Sequence, residues 1–230
     1  MPIAAALLAG CALRQPPAAA PDLRTAAYSV GGQPIDVFAC GRGPGGVLVL
    51  GGVHGDERGS AQLVRTLAER LRCPHDEPIM IVPTLNPDGI EAATRSNARG
   101  VDLNRNMAAR SWTPRPVHGP EPLSEPESRA LDDLLRAVRP VLTISVHEGD
   151  AALVDWDGPP SRAASMLAAC TGLPLQRIGA RPGSLGALLG ADWGWPLVTI
   201  ELPRTTSQLP AETAWDYYGH CLLEAIADRG

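Results

Sequence analysis

At 230 residues and a net charge of -5, the chain is long enough to bury one sizeable core and too mildly acidic to offer nucleic acid a basic footprint. No apolar run reaches the length that spans a bilayer, and no internal repeat divides the sequence. Apolar, strand-like runs alternate with amphipathic stretches, which points to one α/β domain over 22–230.

The first 21 residues stand apart. Leu8-Ala9-Gly10-Cys11 ends a short apolar run that begins at Ile3, and an Ala/Pro-rich linker follows as far as Pro21. This resembles a bacterial lipoprotein signal, which would lipidate Cys11, attach the chain to a membrane and place it in the cell envelope. The other reading is an alanine-rich leader on a cytosolic protein. Cys40, Cys73, Cys170 and Cys221 remain. In an exported protein four cysteines allow three disulfide connectivities; buried free thiols are the alternative.

Beyond the linker, 28–37 reads as an edge strand or hairpin, broken by Gly31-Gly32. Val47–Leu50 is a short buried strand. Leu63, Leu67 and Leu71 recur on one helical face, so 58–71 is an amphipathic helix. Ile79–Val82 is a second strand and runs into Asn86-Pro87-Asp88-Gly89, a strong turn signal. The polar stretch 95–110 has no period and reads as a functional loop. Ser124-Glu125-Pro126-Glu127 has the form of a capping box, so a helix should run to about Arg139, where Pro140 stops it. A third strand covers 141–146. A short helix over 161–171 closes on Gly172, a fourth strand covers 197–202, and a helix over 213–227 ends the chain. The expected fold is a mixed, mostly parallel central sheet with helices on both faces.

Polar residues gather where these strands end, which is where open α/β sheets bind ligands. His54 and Glu57 follow the first buried strand, and His147 follows the third. Two imidazoles and a carboxylate are the donor set of a catalytic zinc, which keeps one position open. Taken singly, His54 with Glu57 also fits a helix cap, and His147 a hydrogen-bonded histidine at a strand end. Glu201 emerges from the last strand, where a buried carboxylate is costly without a task or a partner.

His54-x-x-Glu57, Asn86-Pro87-Asp88-Gly89, Gly100-Val101-Asp102-Leu103-Asn104-Arg105-Asn106, Ser145-Val146-His147 and Thr199-Ile200-Glu201-Leu202 occur in that order. The ordered set resembles the zinc carboxypeptidase family. The resemblance implies one zinc ion held by His54, Glu57 and His147, with Asp102 hydrogen-bonded to the far nitrogen of His54. It implies that Glu201 is the general base that takes a proton from the zinc-bound water and returns it to the leaving amine. Arg95 would stabilise the oxyanion, with Arg99 as a nearby competitor for that role. Asn104 and Arg105 would grip a free carboxylate of the substrate, for which a guanidinium fork is well shaped.

The family's mobile tyrosine has no counterpart, because no tyrosine lies between Phe38 and Glu201. Pro182-Gly183-Ser184-Leu185-Gly186 stands in that region instead, which argues against a digestive-type carboxypeptidase. That segment, with Val154-Asp155-Trp156-Asp157-Gly158-Pro159 and Glu201-Leu202-Pro203, resembles the murein peptide amidase branch. The branch implies hydrolysis of the bond between γ-D-glutamate and meso-diaminopimelate in cell-wall peptides. Asp150, Asp155 and Asp157 are candidate carboxylates for the substrate's amine, or else solvated loop acids; Trp193 and Trp195 either shape the pocket or pack the core. Amidases of this branch are associated with cytoplasmic recycling, whereas the Cys11 motif points to the envelope, so both locations stay open. Two other functions remain as alternatives: an N-acyl amino acid hydrolase of the aspartoacylase or succinylglutamate desuccinylase type, and an inactive peptidoglycan-binding lipoprotein.

Overall fold

The central strand β3 (Val47–Leu50) has no polar residue, and all four of its side chains are fully buried. Burial of each is worth about 1.5–3 kcal/mol, so this strand seeds the core. The computed structural model of the protein describes residues 19–73 and 78–228; Cys11 and the lipoprotein motif around it lie outside them. Seven strands form one sheet in the order β1-β2-β4-β3-β5-β7-β6: β1 (Asp22–Tyr28), β2 (Pro34–Cys40), β3, β4 (Ile79–Val82), β5 (Leu142–Gly149), β6 (Leu153–Asp157) and β7 (Leu197–Pro203). The middle strands β4, β3, β5 and β7 run parallel, while β2 and β6 pair antiparallel with their neighbours.

Alternation of side chains sends Val47 and Val49 to one face and Leu48 and Leu50 to the other. On the first face α1 (Arg58–Arg70), α4 (Arg162–Thr171) and a C-terminal helix pack through Leu63, Leu67, Leu167 and Leu222. On the second, α3 (Pro126–Val138) and the segment around Leu185, Leu188 and Leu189 cover Leu48, Leu50 and Leu197. The expected architecture of helices on both faces is therefore present. Among the described residues no helix is long and apolar enough to cross a membrane.

Several local expectations change. The turn at Asn86 is the start of a short helix, α2 (Pro87–Ala92): the Asn86 side chain caps it by accepting from Gly89 N at 2.9 Å. The capping box before α3 does not form, since Glu125 occupies the cap position with no side-chain bond to the helix. Its partner Glu127 is drawn away, accepting from Val30 N at 3.0 Å and from Asn97 Nδ2 at 3.2 Å. The hairpin expected over 28–37 is present as the turn between β1 and β2, but β1 extends it back to Asp22, and β6 was not expected as a strand. The terminal helix is interrupted by a π-helical turn, Trp215–Gly219, between α5 (Ala211–Ala214) and α6 (His220–Ala227). The four cysteines form two disulfides, Cys40–Cys73 and Cys170–Cys221, which decides between the three connectivities and the free thiols.

Candidate metal centre

β3 stops at Leu50, and the following loop delivers His54 and Glu57 to the C-terminal edge of the sheet. This loop is pressed against α2: a Cβ built on Gly55 would lie 1.9 Å from the Gly89 carbonyl carbon, so only glycine fits beside that helix. Glu57 occupies the N-cap position of α1 without a side-chain capping bond, at the positive end of the helix dipole, which favours a carboxylate. His147 sits on β5 with its side chain on the face that carries Ser145, opposite the apolar Ile144 and Val146.

These segments converge. His54 Nδ1 lies 2.6 Å from Glu57 Oε1, and His147 Nδ1 lies 2.9 Å from Glu57 Oε2. The ligand atoms of the three residues fall within 4.8 Å of one another, and all three side chains are buried. The other imidazole nitrogens are engaged: His54 Nε2 meets Asp102 Oδ1 at 3.2 Å, and His147 Nε2 meets Ser145 Oγ at 3.0 Å. When His54 donates its Nε2 proton to Asp102, its Nδ1 lone pair faces the lone pairs of Glu57. Two acceptors at that separation repel unless a cation lies between them. Donor type, burial and this conflict all fit zinc, so His54, Glu57 and His147 would hold it.

The electrostatics agree. Burial alone would raise the pKa of Glu57, but the facing His147 and His54 outweigh it and hold the carboxyl well below the usual range. Asp102 behaves likewise: His54, Arg95 and Arg105 overcome its burial and keep it ionised. Burial lowers the pKa of His54, yet its bonds to Asp102 and Glu57 shift the net balance upward. The site favours positive charge between these acids.

Around the triad lies a cavity of about 180 Å³, lined by Arg95, Asn104, Arg105, Asp155, Asp157, Arg181 and Glu201 among others. Parallel pairing sets Glu201 of β7 directly beside His147 of β5. Burial, together with the charge of Glu57, raises the pKa of Glu201, opposed by His147, His54 and Arg95. Arg95 donates from Nε to Asp102 Oδ2 at 3.0 Å, with Nη1 3.6 Å from Glu57 Oε1. Its competitor Arg99 is outside the cavity and 3.6 Å from Glu125. Asp102 caps a 3-10 turn (Leu103–Arg105) by accepting from Asn104 N at 2.9 Å, which fixes the next two residues. Asn104 Oδ1 accepts from Leu185 N at 2.9 Å, so its amide nitrogen remains to face the cavity. Burial lowers the pKa of Arg105, with Arg95 and Arg181 adding repulsion. Guanidinium remains charged all the same, and three of them around one cleft call for an anionic group.

Some candidates lie elsewhere. Asp150 is exposed and accepts from Arg204 Nε at 2.7 Å. Trp193 and Trp195 form an edge-on pair, with Arg136 over the Trp193 ring, along an outer groove rather than in the cavity. Two supporting residues were missed. Ser145, two residues before His147 on the same strand face, was open to inference from strand periodicity. Asn97 pins the loop before Asp102: its Oδ1 accepts from Arg99 N and Val101 N, and its Nδ2 donates to Glu125 at 2.8 Å. Nothing local in the sequence signals that role.

The family model for zinc carboxypeptidases matches residues 18–167, which include the triad, Arg95, Asp102, Asn104 and Arg105. Murein peptide amidase A of Escherichia coli K12 is 34% identical over 187 residues, covering 72% of this chain and 74% of that protein. The amidase of the same name in Vibrio campbellii is 33% identical over 194 residues, 74% of this chain and 75% of its own. The crystal structure of a murein-tripeptide amidase from Escherichia coli O157 superposes with a TM-score of 0.76 at 28% identity, covering 90% of this chain and 93% of that one. A carboxypeptidase A from Helicoverpa armigera shares the fold at 16% identity and a TM-score of 0.73, over 91% of this chain and 68% of its own. With its ordered motifs, its sheet and its buried His-Glu-His cluster, this chain belongs to the zinc carboxypeptidase family and is a zinc metallopeptidase.

Proposed function

We propose that the enzyme hydrolyses the γ-D-glutamyl–meso-diaminopimelate bond of murein peptides. The observation that carries this reading is the cavity itself, in which a metal triad, Glu201, three arginines and two aspartates meet in about 180 Å³. Such a lining suits a small substrate with several charges of both signs, and the likeness to murein peptide amidases names a class of that kind.

Bound zinc supplies Lewis acidity and a water acidic enough to be deprotonated near neutral pH. The residues do the rest. Glu201 accepts the proton of the attacking water and carries it to the departing amine. Its raised pKa keeps it basic enough for the first transfer and acidic enough for the second. Arg95 faces the oxygen that gains charge as the carbonyl becomes tetrahedral, a contribution of about 3–4 kcal/mol for one such donor. Arg105 and the free amide of Asn104 orient the terminal carboxylate. Asp102 holds the His54 tautomer that turns Nδ1 toward Glu57.

The test is mass spectrometry of L-alanyl-γ-D-glutamyl-meso-diaminopimelate incubated with the zinc-loaded full chain, beside N-acetylaspartate and succinylglutamate. Release of free meso-diaminopimelate is the expected result. Cleavage of an acyl amino acid instead, or binding of muropeptides with no cleavage, overturns the proposal.

We also propose that the enzyme works outside the cytoplasm, anchored through lipidated Cys11. Two disulfides support this, because such bonds persist in oxidising compartments. Radiolabelled palmitate should enter the wild-type chain and not Cys11→Ser; equal labelling, or none in either, refutes the anchor.

A further inference from the structure

The bridge between Cys170 of α4 and Cys221 of α6 has an imidazole beside it. His220 Nε2 lies 3.5 Å from Cys221 Sγ, and the donor atoms of Cys170, His220 and Cys221 fall within 4.8 Å of one another. Among the described residues, the His54-Glu57-His147 triad is the one other group whose donors gather so closely. The two settings differ. Cys221 is buried in the core cluster that holds Leu167 and Leu222, Cys170 is half-buried, and His220 is exposed at the start of α6. One side of the group is therefore apolar and the other meets solvent. None of the three lines the catalytic cavity, and the proposed hydrolysis uses none of them.

We propose that reduction of this bridge creates a second metal site, in which the thiolates of Cys170 and Cys221, the imidazole of His220 and a water hold one zinc ion. A dithiol reductant gives two electrons and two protons to the Cys170–Cys221 bond and leaves as a cyclic disulfide, so two thiols result. Zinc then displaces both thiol protons to solvent, because its ligand is the thiolate. Two thiolates and a neutral imidazole suit zinc in softness and in charge. Distances support the site. With Zn–S of about 2.3 Å and Zn–N of about 2.0–2.1 Å at tetrahedral angles, a bound sulfur and nitrogen stand about 3.5 Å apart. His220 Nε2 and Cys221 Sγ already have that separation. The two sulfurs need about 3.8 Å. Once the covalent bond is gone, Cys170, the less buried of the pair, can rotate to reach it. The result is a cross-link that outlasts a change of redox state. Sulfur joins sulfur in the oxidised chain and metal joins them in the reduced one, tying α4 to α6 across the same separation of 51 residues.

The experiment is titration of the zinc-loaded full chain with cobalt(II), before and after reduction by a water-soluble phosphine, since a dithiol would itself bind the metal. Uptake is followed by the thiolate-to-cobalt charge-transfer band in the near ultraviolet. The His54-Glu57-His147 triad has no sulfur and gives no such band. Reduced wild type should take up one further equivalent and develop the band, and the oxidised protein should do neither. The double variant Cys40→Ser, Cys73→Ser should behave as wild type. Cys170→Ser should lose the band, and His220→Ala should lose the added equivalent. No added equivalent in reduced wild type, or uptake and band unchanged in Cys170→Ser or His220→Ala, overturns the proposal. If Cys170→Ser fails to fold, His220→Ala decides, because it alters an exposed side chain and leaves both cysteines in place.

Discussion

Asp102→Asn tests whether the metal centre depends on the acid behind His54. The aspartate accepts from three directions: His54 Nε2 at 3.2 Å, Arg95 Nε at 3.0 Å and Asn104 N at 2.9 Å. Asparagine keeps the shape but has one acceptor oxygen. Its amide nitrogen must then face a donor, either His54 or Arg95. Facing His54, it favours the wrong tautomer; facing Arg95, it releases the guanidinium. Loss of such a partner typically costs 10- to 100-fold in metal affinity or activity, or about 1.4–2.7 kcal/mol. Zinc affinity should be measured by competition with a chromophoric chelator, and kcat/KM on the tripeptide. The chelator-treated protein gives a second readout. Asp102 has a depressed pKa, so its ionised form stabilises the fold fully above the unfolded value of 3.8, and this contribution is lost as pH falls below it. The stability gap between wild type and Asp102→Asn should therefore be full above the unfolded value of 3.8 and narrow progressively as pH falls from there through the depressed folded value. Unchanged zinc affinity and turnover, or a gap that grows on acidification, would refute the role assigned to Asp102.

Glu201→Gln should bind zinc and melt like wild type while turnover falls by about 100- to 10,000-fold; near-normal activity removes Glu201 from the mechanism. Chelation of the metal should abolish activity, and zinc at 100-fold excess over its Kd should restore it while adding about 2.7 kcal/mol of stability. Full activity in a chelator-treated, metal-free sample by elemental analysis would contradict the His54-Glu57-His147 assignment. Replacing Cys170 and Cys221 by serine opens a loop of 51 residues and should cost about 2–4 kcal/mol in urea unfolding; a loss below about 1 kcal/mol would show that this bridge does little for the native state.

What could be read from the sequence follows from where each signal originates. β3, β4 and α1 were legible because their apolar residues face a core on a fixed period. β6 was not, since Asp155 and Asp157 occupy positions that would be apolar in an ordinary buried strand; the cavity inverts the rule. β1 is mostly exposed and carries a register shift between Thr25 and Ala27, so it has no clean alternation. Asn86 illustrates a shared chemistry: an asparagine accepting from a nearby backbone amide makes either a turn or a helix cap, and local sequence does not separate them. The capping-box glutamate Glu127 was diverted by Val30 and Asn97, partners at long sequence range. The metal triad was legible through residue type and order. That Asp157 lines the cavity was legible only as one of two readings, beside a solvated loop acid, because the face it takes is a property of the folded sheet.

The site's polar residues come from neighbouring strands whose registers are fixed by the opposite face. Val154, Val198 and Ile200 point into the core beside Leu167 and Leu222, so β6 and β7 cannot slip by one residue without exposing them. Such a slip would also drive Asp155 and Asp157 into that core, where an unpaired carboxylate costs several kcal/mol. The apolar face therefore enforces the arrangement of the polar one. His147 beside Glu201, and Asp157 beside Leu197, are two readings of one ladder. The metal triad needs only β5 and the loop after β3, whereas Asp155 and Asp157 stand on β6, the strand at the edge of the sheet beyond β7. The candidate metal ligands and these two aspartates thus rest on separable parts of the sheet.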